Sequence, residues 1–369
     1  METSNSPKLR IGYGIVLYNT AKSGVFKKIS DQVGKWTDLG AKPHLFVITD
    51  VSSVENWSQL DCDITIFVDT NLISKIRNRF RLLLSTREIP IDLLYVRDVF
   101  PLFYPKLRVP IVIEIQTLFS NELSLRRKHA VHVYKFLSQF VYGRINAAVY
   151  VTDELFRLNE INLSPRIKKS VIGNGIELSR VQQLAENNPE KLSLFFVGHP
   201  NQVWHGVDQL IKLAKILPQI EVHLVGYKLE EHLPNVYSYG LLDERSYVEL
   251  AERCVAGVAS LNLTSIGMKE ASPLKSREYL AMGLPVIARY SDPDFTPAPN
   301  FILELPQDSS TLESYSKEIL TFLKYWSGKR VPRNSIAHID VQSKEKLRLD
   351  FFQDVLLQFK SNYAKAGER

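Results

Sequence analysis

Cysteine is scarce in this chain. Of 369 residues only Cys62 and Cys254 carry a thiol, far apart and outside any CxxC spacing, which excludes a disulfide scaffold and a thiolate zinc site and fits a reducing compartment. Long apolar runs are missing too: no window reaches the roughly 18 consecutive apolar residues that a bilayer span takes, and the amino-terminal stretch METSNSPKLR is polar. The expectation is a cytoplasmic protein, soluble or peripheral at the inner face of a membrane. HExxH and GxSxG are absent. Asp61-Cys62-Asp63 spells DxD but precedes the apolar run ITIFV instead of following a strand, so it reads as a loop. No metal and no cofactor are expected. Internal repeats and low-complexity segments are absent as well.

What is present is an ordinary globular composition, 45% hydrophobic and 23% charged, long enough for two domains. Charge is uneven. Residues 1–180 hold 25 lysines and arginines against 17 acids, and the remainder 21 against 23. A basic half suits an anionic partner, and it equally well serves only solubility. Within it, Arg77, Arg79 and Arg81, and then Arg126, Arg127 and Lys128, interleave with apolar residues such as Ile76, Phe80 and Leu82. That pattern resembles a surface for anionic lipid headgroups, with a plain solvated helix face as the alternative. His129 and His132 sit in a helical stretch and read as surface or packing residues.

Apolar runs at 9–17, 44–49, 64–68, 91–96, 110–115 and 147–151 alternate with helical spacing at 24–39, 72–87 and 124–145. Strands alternating with helices imply a parallel sheet. The alternation restarts after the polar stretch 181–191: runs at 192–198, 221–226, 256–260 and 285–288 enclose helical stretches at 207–217, 243–253 and 273–282. Two doubly wound halves are therefore expected, residues 1–183 and 184–342, with one cleft outside the carboxyl ends of two facing sheets. Residues 343–369 begin with an amphipathic helix that could pack on either half, a return to the first among the options.

The most informative segment is EASPLKSREYLAMGLPVIA at 270–288. Ser272 before Pro273 reads as a helix start, the hydroxyl capping free amides and proline occupying the first turn. Gly283 closes that helix. Such an end attracts anions, and Lys275 in the first turn opposes the helix dipole unless an anion lies nearby. The alternative is a Lys275 solvated or paired with Glu278.

This segment resembles the E-x7-E motif of the retaining GT-B glycosyltransferases of family four. FFVG at 195–198 followed by WHGVDQLI at 204–211, VIGNGIE at 171–177 and YVTDEL at 150–155 resemble further elements in family order, covering about residues 10–300. The resemblance implies a GT-B fold of two Rossmann-like domains, an amino-terminal acceptor domain and a carboxyl-terminal donor domain. It also implies metal-free transfer from a nucleotide-diphosphate sugar to an acceptor, a lipid-linked or growing surface-polysaccharide glycan. Glu278 would hold the donor ribose and Glu270 would sit beside the transferred sugar. The amides of Ala271, Ser272, Pro273 and Leu274, proline adding only its carbonyl side, would with Lys275 face the diphosphate. Lys275 and Glu270 would be the catalytic pair. Gly24 would match the glycine turn that approaches the donor phosphate, and Gly198 the turn after FV.

Three positions depart from that pattern. His199 and His205 stand where the family often has an arginine and a lysine on the diphosphate, which implies weaker or pH-sensitive binding. In place of a histidine after the fifth strand the chain has Glu114 and Gln116, assigned to the acceptor side. Other readings are a GT-B nucleotide-sugar epimerase, told apart by turnover without acceptor, and a non-catalytic nucleotide-sugar-binding partner subunit. A nucleic-acid partner is not expected, since no groove-reading module is present.

Overall fold

The computed structural model describes residues 8–20, 23–97, 107–126, 130–158, 163–164, 167–186, 189–200, 202–229, 233–308 and 311–367. It divides into two compact units, residues 1–175 with 341–369, and residues 176–340.

The first unit is built on seven strands, β1 (Arg10–Val16), β2 (Lys42–Thr49), β3 (Asp63–Val68), β4 (Leu93–Arg97), β5 (Ile111–Ile115), β6 (Ala147–Tyr150) and β7 (Lys168–Val171). Their order is β3-β2-β1-β4-β5-β6-β7, all pairs parallel. The register runs from Arg10 opposite Lys42 to Val16 opposite Ile48, and Ile11 faces Leu93 on the other side of β1. The helices of this unit are α1 (Gly24–Asp38), α2 (Val54–Ser58), α3 (Leu72–Glu88), α4 (Phe119–Arg126), α5 (Ala130–Val141) and α6 (Asp153–Leu158). The single helix expected over 124–145 is thus two elements.

Helix α1 starts at Ser23, whose hydroxyl accepts from the Phe26 amide, and buries Ile29, Val33 and Trp36 at helical spacing against the sheet. Trp36 lies 5.3 Å from Tyr13, and Tyr95 lies 5.0 Å from Phe352.

The second unit repeats the plan with β8 (Leu192–Val197), β9 (Ile220–Val225), β10 (Val236–Gly240), β11 (Ala256–Val258), β12 (Val286–Ala288) and β13 (Ile302–Glu304). Their order is β10-β9-β8-β11-β12-β13, again parallel throughout. Its helices are α7 (Val207–Ile216), α8 (Glu244–Glu252), α9 (Leu274–Met282) and α10 (Ser316–Trp326). The polar stretch 181–191 belongs to this unit. The Leu184 amide donates to the Met282 carbonyl, and Arg333 bonds the carbonyls of Val181 and Ala281.

The last helix, α11 (Val341–Gly367), packs on the first unit. Glu345 accepts from Trp36 Nε1 at 2.8 Å and Gln32 Nε2 at 3.0 Å, while Arg348 donates to Tyr95 at 2.7 Å. No helix of the described residues is long and apolar enough to cross a membrane.

Candidate functional site

In each sheet the chain reverses direction at its first strand, between β1 and β4 and between β8 and β11. Such a switch point leaves a crevice at the carboxyl ends of the strands, because the two flanking connections leave in opposite directions. In the second unit the segments singled out by sequence gather there. Strand β8 is followed by Gly198, where a Cβ would lie 2.6 Å from His205 Nδ1 and 2.8 Å from the Phe196 ring. Gly226, at the end of β9 with φ +86°, could carry no Cβ without striking the Gly198 carbonyl. Glycine is required at both, at Gly198 because two packed rings leave no room for a Cβ and at Gly226 because backbone meets backbone.

His205 closes the short 3-10 turn Val203–His205. Its ring is buried edge-on to Phe196 at 5.6 Å, with Nδ1 3.4 Å from the Tyr227 hydroxyl. That hydroxyl donates to the His199 carbonyl at 2.8 Å. Burial, then the positive fields of Lys275 and His199, push the His205 pKa down to about 3. The imidazole is therefore neutral at physiological pH, so the expectation that His205 replaces a lysine as a pH-sensitive charge gives way to a packing role behind the loop. The His199 side chain is exposed.

Helix α9 begins one residue later than the serine-proline pair suggests. Pro273 is the cap residue and no side chain caps the end. The Ser272 hydroxyl instead accepts from Arg277 at 2.8 Å. Arg277 is completely buried and bonds Asp292 through both nitrogens, at 2.5 and 2.9 Å. It also reaches Asp294 at 2.7 Å, with its plane 5.3 Å from the Phe295 ring. A bidentate, fully desolvated guanidinium holds its partners in one geometry, so this group fixes the approach to α9. Sequence reading passed over it. Upstream, Glu270 bridges to Ser291, and the Ala271 amide donates to the Ser291 carbonyl at 3.0 Å. Gly283 ends the helix in the left-handed conformation, φ +90°, as expected.

Lys275 points into this crevice. Its Nζ is out of reach of solvent with no hydrogen-bond partner among the described residues, 4.4 Å from the centre of the Phe196 ring. Burial lowers its pKa to about 7. One turn on, Glu278 accepts from the Tyr247 hydroxyl at 3.3 Å. Burial, then the Glu278 carboxylate, raise the Tyr247 phenol pKa well above its ordinary value, so it remains a donor that orients that carboxylate. Tyr279 braces the strand by accepting the Val197 amide at 2.9 Å, and Gly257 is glycine because a Cβ would strike its ring. Lys275, Glu278, Ser272, Pro273, Leu274 and Gly198 thus belong to one end of one sheet, with an uncapped helix terminus and a buried amine that nothing balances.

The first-unit residues lie differently. Gly24 is the exposed first residue of α1, and Ala21 and Lys22 of the turn before it fall outside the described residues. Glu114 is wholly buried, paired with Lys28 at 2.9 Å and Arg97 at 3.2 Å, with Gln116 donating to it at 2.8 Å. Lys28, Arg97 and Arg348 together outweigh the burial penalty and hold the Glu114 carboxyl far below the usual range. Of the two residues assigned to the acceptor side, the Glu114 carboxylate is engaged by partners inside the unit, and Gln116 beside it is partly exposed. Arg127, Lys128 and His129 lie outside the described residues, as does the Arg126 side chain. His132 is exposed. Asp63 of the DxD opens β3, and no group of three or more His, Cys, Asp or Glu among the described residues is placed to hold a metal.

No protein-family model matches the chain, and no curated protein matches it in sequence. Solved structures match its fold along nearly its whole length. The apo form of the lipopolysaccharide outer core galactosyltransferase WaaB superposes with a TM-score of 0.66 at 12% identity, covering 94% of this chain and 100% of that one. A glycosyltransferase from Rickettsia africae gives 0.63 at 14% identity, over 95% and 99%. Anabaena HepE in complex with UDP and glucose gives 0.63 at 13%, over 94% and 99%. The fold is the GT-B arrangement of two Rossmann-like, doubly wound units.

Proposed function

We infer that this chain is a glycosyltransferase that moves a sugar from a nucleotide-diphosphate donor to a glycan or lipid-linked acceptor, with retention of configuration and without a metal. One observation carries the reading. The buried, unpartnered amine of Lys275 stands in the first turn of an uncapped helix, so the crevice holds a partial positive charge and a latent full one with no anion to meet them. A diphosphate satisfies both. The resemblance of 270–288 to the E-x7-E motif and the UDP-sugar complexes of HepE support a nucleotide sugar over a bare anion.

In this mechanism Glu278, oriented by Tyr247, accepts from the vicinal hydroxyls of the donor ribose. The α9 amides and Lys275 stabilise the charge that grows on the leaving phosphate as the anomeric C–O bond breaks and its electron pair passes to oxygen. The acceptor hydroxyl attacks from the same face, its proton passing to that phosphate oxygen. Glu270 lies beside the transferred sugar. The excess of lysine and arginine over acids in residues 1–180 supports a location at the inner, anionic face of a membrane, with a lipid-linked acceptor there.

A thermal-shift screen of nucleotide sugars tests the reading, because a ligand at 100 times its Kd stabilises by about 2.7 kcal/mol. Stabilisation by one donor, followed by transfer with retention seen by NMR, is the expected result. No response to any nucleotide sugar defeats it, and turnover of donor without acceptor assigns the chain to the epimerases.

A further inference from the structure

Helix α3 is amphipathic in the wrong sense. The residues it buries against the sheet are mostly polar: Ser74, Asn78 and Thr86, with Leu82 and Leu83. Their hydrogen bonds fix this orientation. Asn78 donates to the Val68 carbonyl at 2.8 Å and to Asp69 at 2.7 Å, Ser74 forms the capping box with Asn71, and Thr86 donates to the Leu83 carbonyl. The two Asn78 bonds reach out of the helix to the end of β3 and the residue after it, so turning the helix over would break them.

Ile73, Ile76 and Leu84, at helical spacing on the opposite side, are exposed, and Phe80 between them is half-buried. Ile73 is 76% exposed, Ile76 50% and Leu84 52%, and Leu72 beside them 74%. Arginines flank the stripe. The helix carries Lys75, Arg77, Arg79, Arg81 and Arg87 against the single acid Glu88; Arg79 turns back to Asp69 at 3.7 Å and the Arg81 guanidinium lies 5.6 Å from the Phe67 ring, while Arg77, Arg81 and Arg87 stay exposed. The neighbouring surface continues the pattern. The connections β3 to β4 and β5 to β6 step the same way along the sheet, so right-handed crossovers put α3 and α5 on one face, opposite α1. On α5, Val133 is 58% and Phe136 63% exposed.

We propose that the outer stripe of α3 is a membrane-contact surface, its aliphatic side chains entering an anionic phospholipid leaflet while Arg77, Arg81 and Arg87 engage the headgroup phosphates. An apolar stripe rimmed by cations matches the boundary between acyl chains and anionic headgroups. A second copy of this chain does not match it, because self-pairing sets the same arginines against one another. The inference deepens the peripheral placement proposed above but uses none of the donor chemistry, so donor binding and lipid binding are read separately.

The test is flotation of the full-length protein with phosphatidylcholine vesicles and with phosphatidylcholine–phosphatidylglycerol vesicles over a salt series. The wild type floats with the anionic vesicles and not the neutral ones. Each arginine replaced in Arg77→Gln/Arg81→Gln/Arg87→Gln weakens that binding about fivefold at physiological salt. Ile73→Ser/Ile76→Ser/Leu84→Ser lowers it at least tenfold, and the residue that remains is abolished by salt, while circular dichroism and the nucleotide-sugar thermal shift stay at wild-type values. Equal flotation with both lipids, no flotation at low salt, or full binding by the triple-serine variant overturns the proposal. So does a concentration-dependent dimer that the triple-serine change dissolves.

Discussion

Lys275→Met separates stability from binding in a way few substitutions can. Methionine keeps the unbranched stem against Phe196 and deletes only the buried amine. In the wild type, burial lowers the amine's pKa from 10.5 to about 7. Below pH 7 both folded and unfolded chains carry the proton, and the folded state bears the full cost of the buried charge. Between about 7 and 10.5 the unfolded chain binds more protons, so the cost shrinks as pH rises. At about 1.4 kcal/mol per tenfold change the ceiling is about 5 kcal/mol, and an unmet buried donor costs about 1–3 kcal/mol. A gain of about 2 kcal/mol raises the melting temperature of a unit this size by about 4–8 °C. Calorimetry of the ligand-free protein should show that rise at pH 6.5, diminishing towards pH 10. Donor binding moves the other way: the variant gains little or no thermal shift from the nucleotide sugar, and wild-type affinity itself falls as pH rises past 7, when the ammonium is lost. A ligand-free variant that melts below the wild type at pH 6.5, or one that binds donor as tightly, refutes the reasoning.

Other outcomes follow from the same geometry. Glu278→Gln should lower donor affinity about 10–100-fold, because a hydrogen bond to a charged acceptor contributes about 1.5–3 kcal/mol; calorimetric titration reads it, and the melting point should change little. Arg277→Met strands Asp292 and Asp294 beside a desolvated position and should cost about 3–5 kcal/mol in urea unfolding, with Arg277→Lys rescuing little of it because an ammonium cannot bond Asp292 through two nitrogens and also reach Ser272 and Asp294. Glu345→Ala leaves Trp36, Gln32 and Arg348 without their shared acceptor, so hydrogen exchange should quicken in α1 and β4 and leave β8 and β9 as they were. Transfer activity should survive EDTA; loss that Mg2+ or Mn2+ restores would falsify the metal-free assignment.

The central strands of both sheets were legible as apolar runs, and the strands that were not have a common position. β7, β10 and β13 are edges. An edge strand has one neighbour and exposes alternate residues, so KKSV and VYSYG offer no continuous apolar run, and the three residues of β13 are too few to form one. The polar stretch 181–191 shows a related limit. Polarity marks exposure, yet within it Leu184 is buried with its amide on the Met282 carbonyl, and the Val181 carbonyl accepts from the Arg333 side chain, which composition does not register.

At the site, sequence order located the parts, while their partners depended on chain distant in sequence. A serine before a proline is a sound cap by local chemistry, yet the Ser272 hydroxyl goes to Arg277 because Asp292 and Asp294 have already drawn that guanidinium across the helix start. Those aspartates stand beyond β12, so no local window contains the competition. The same holds for His205 and Glu114, ionisable side chains read as ligands and found to be neutralised, one by burial against Phe196 and the other by Lys28 and Arg97. Lys275 is the converse case. It too is buried, but no acid faces it, and a lysine buried without a counterion lowers stability unless something arrives to claim the charge. That asymmetry between satisfied and unsatisfied buried ions, more than the motif around it, is the ground for proposing Lys275 rather than His205 or Glu114 as the residue that meets a ligand's charge.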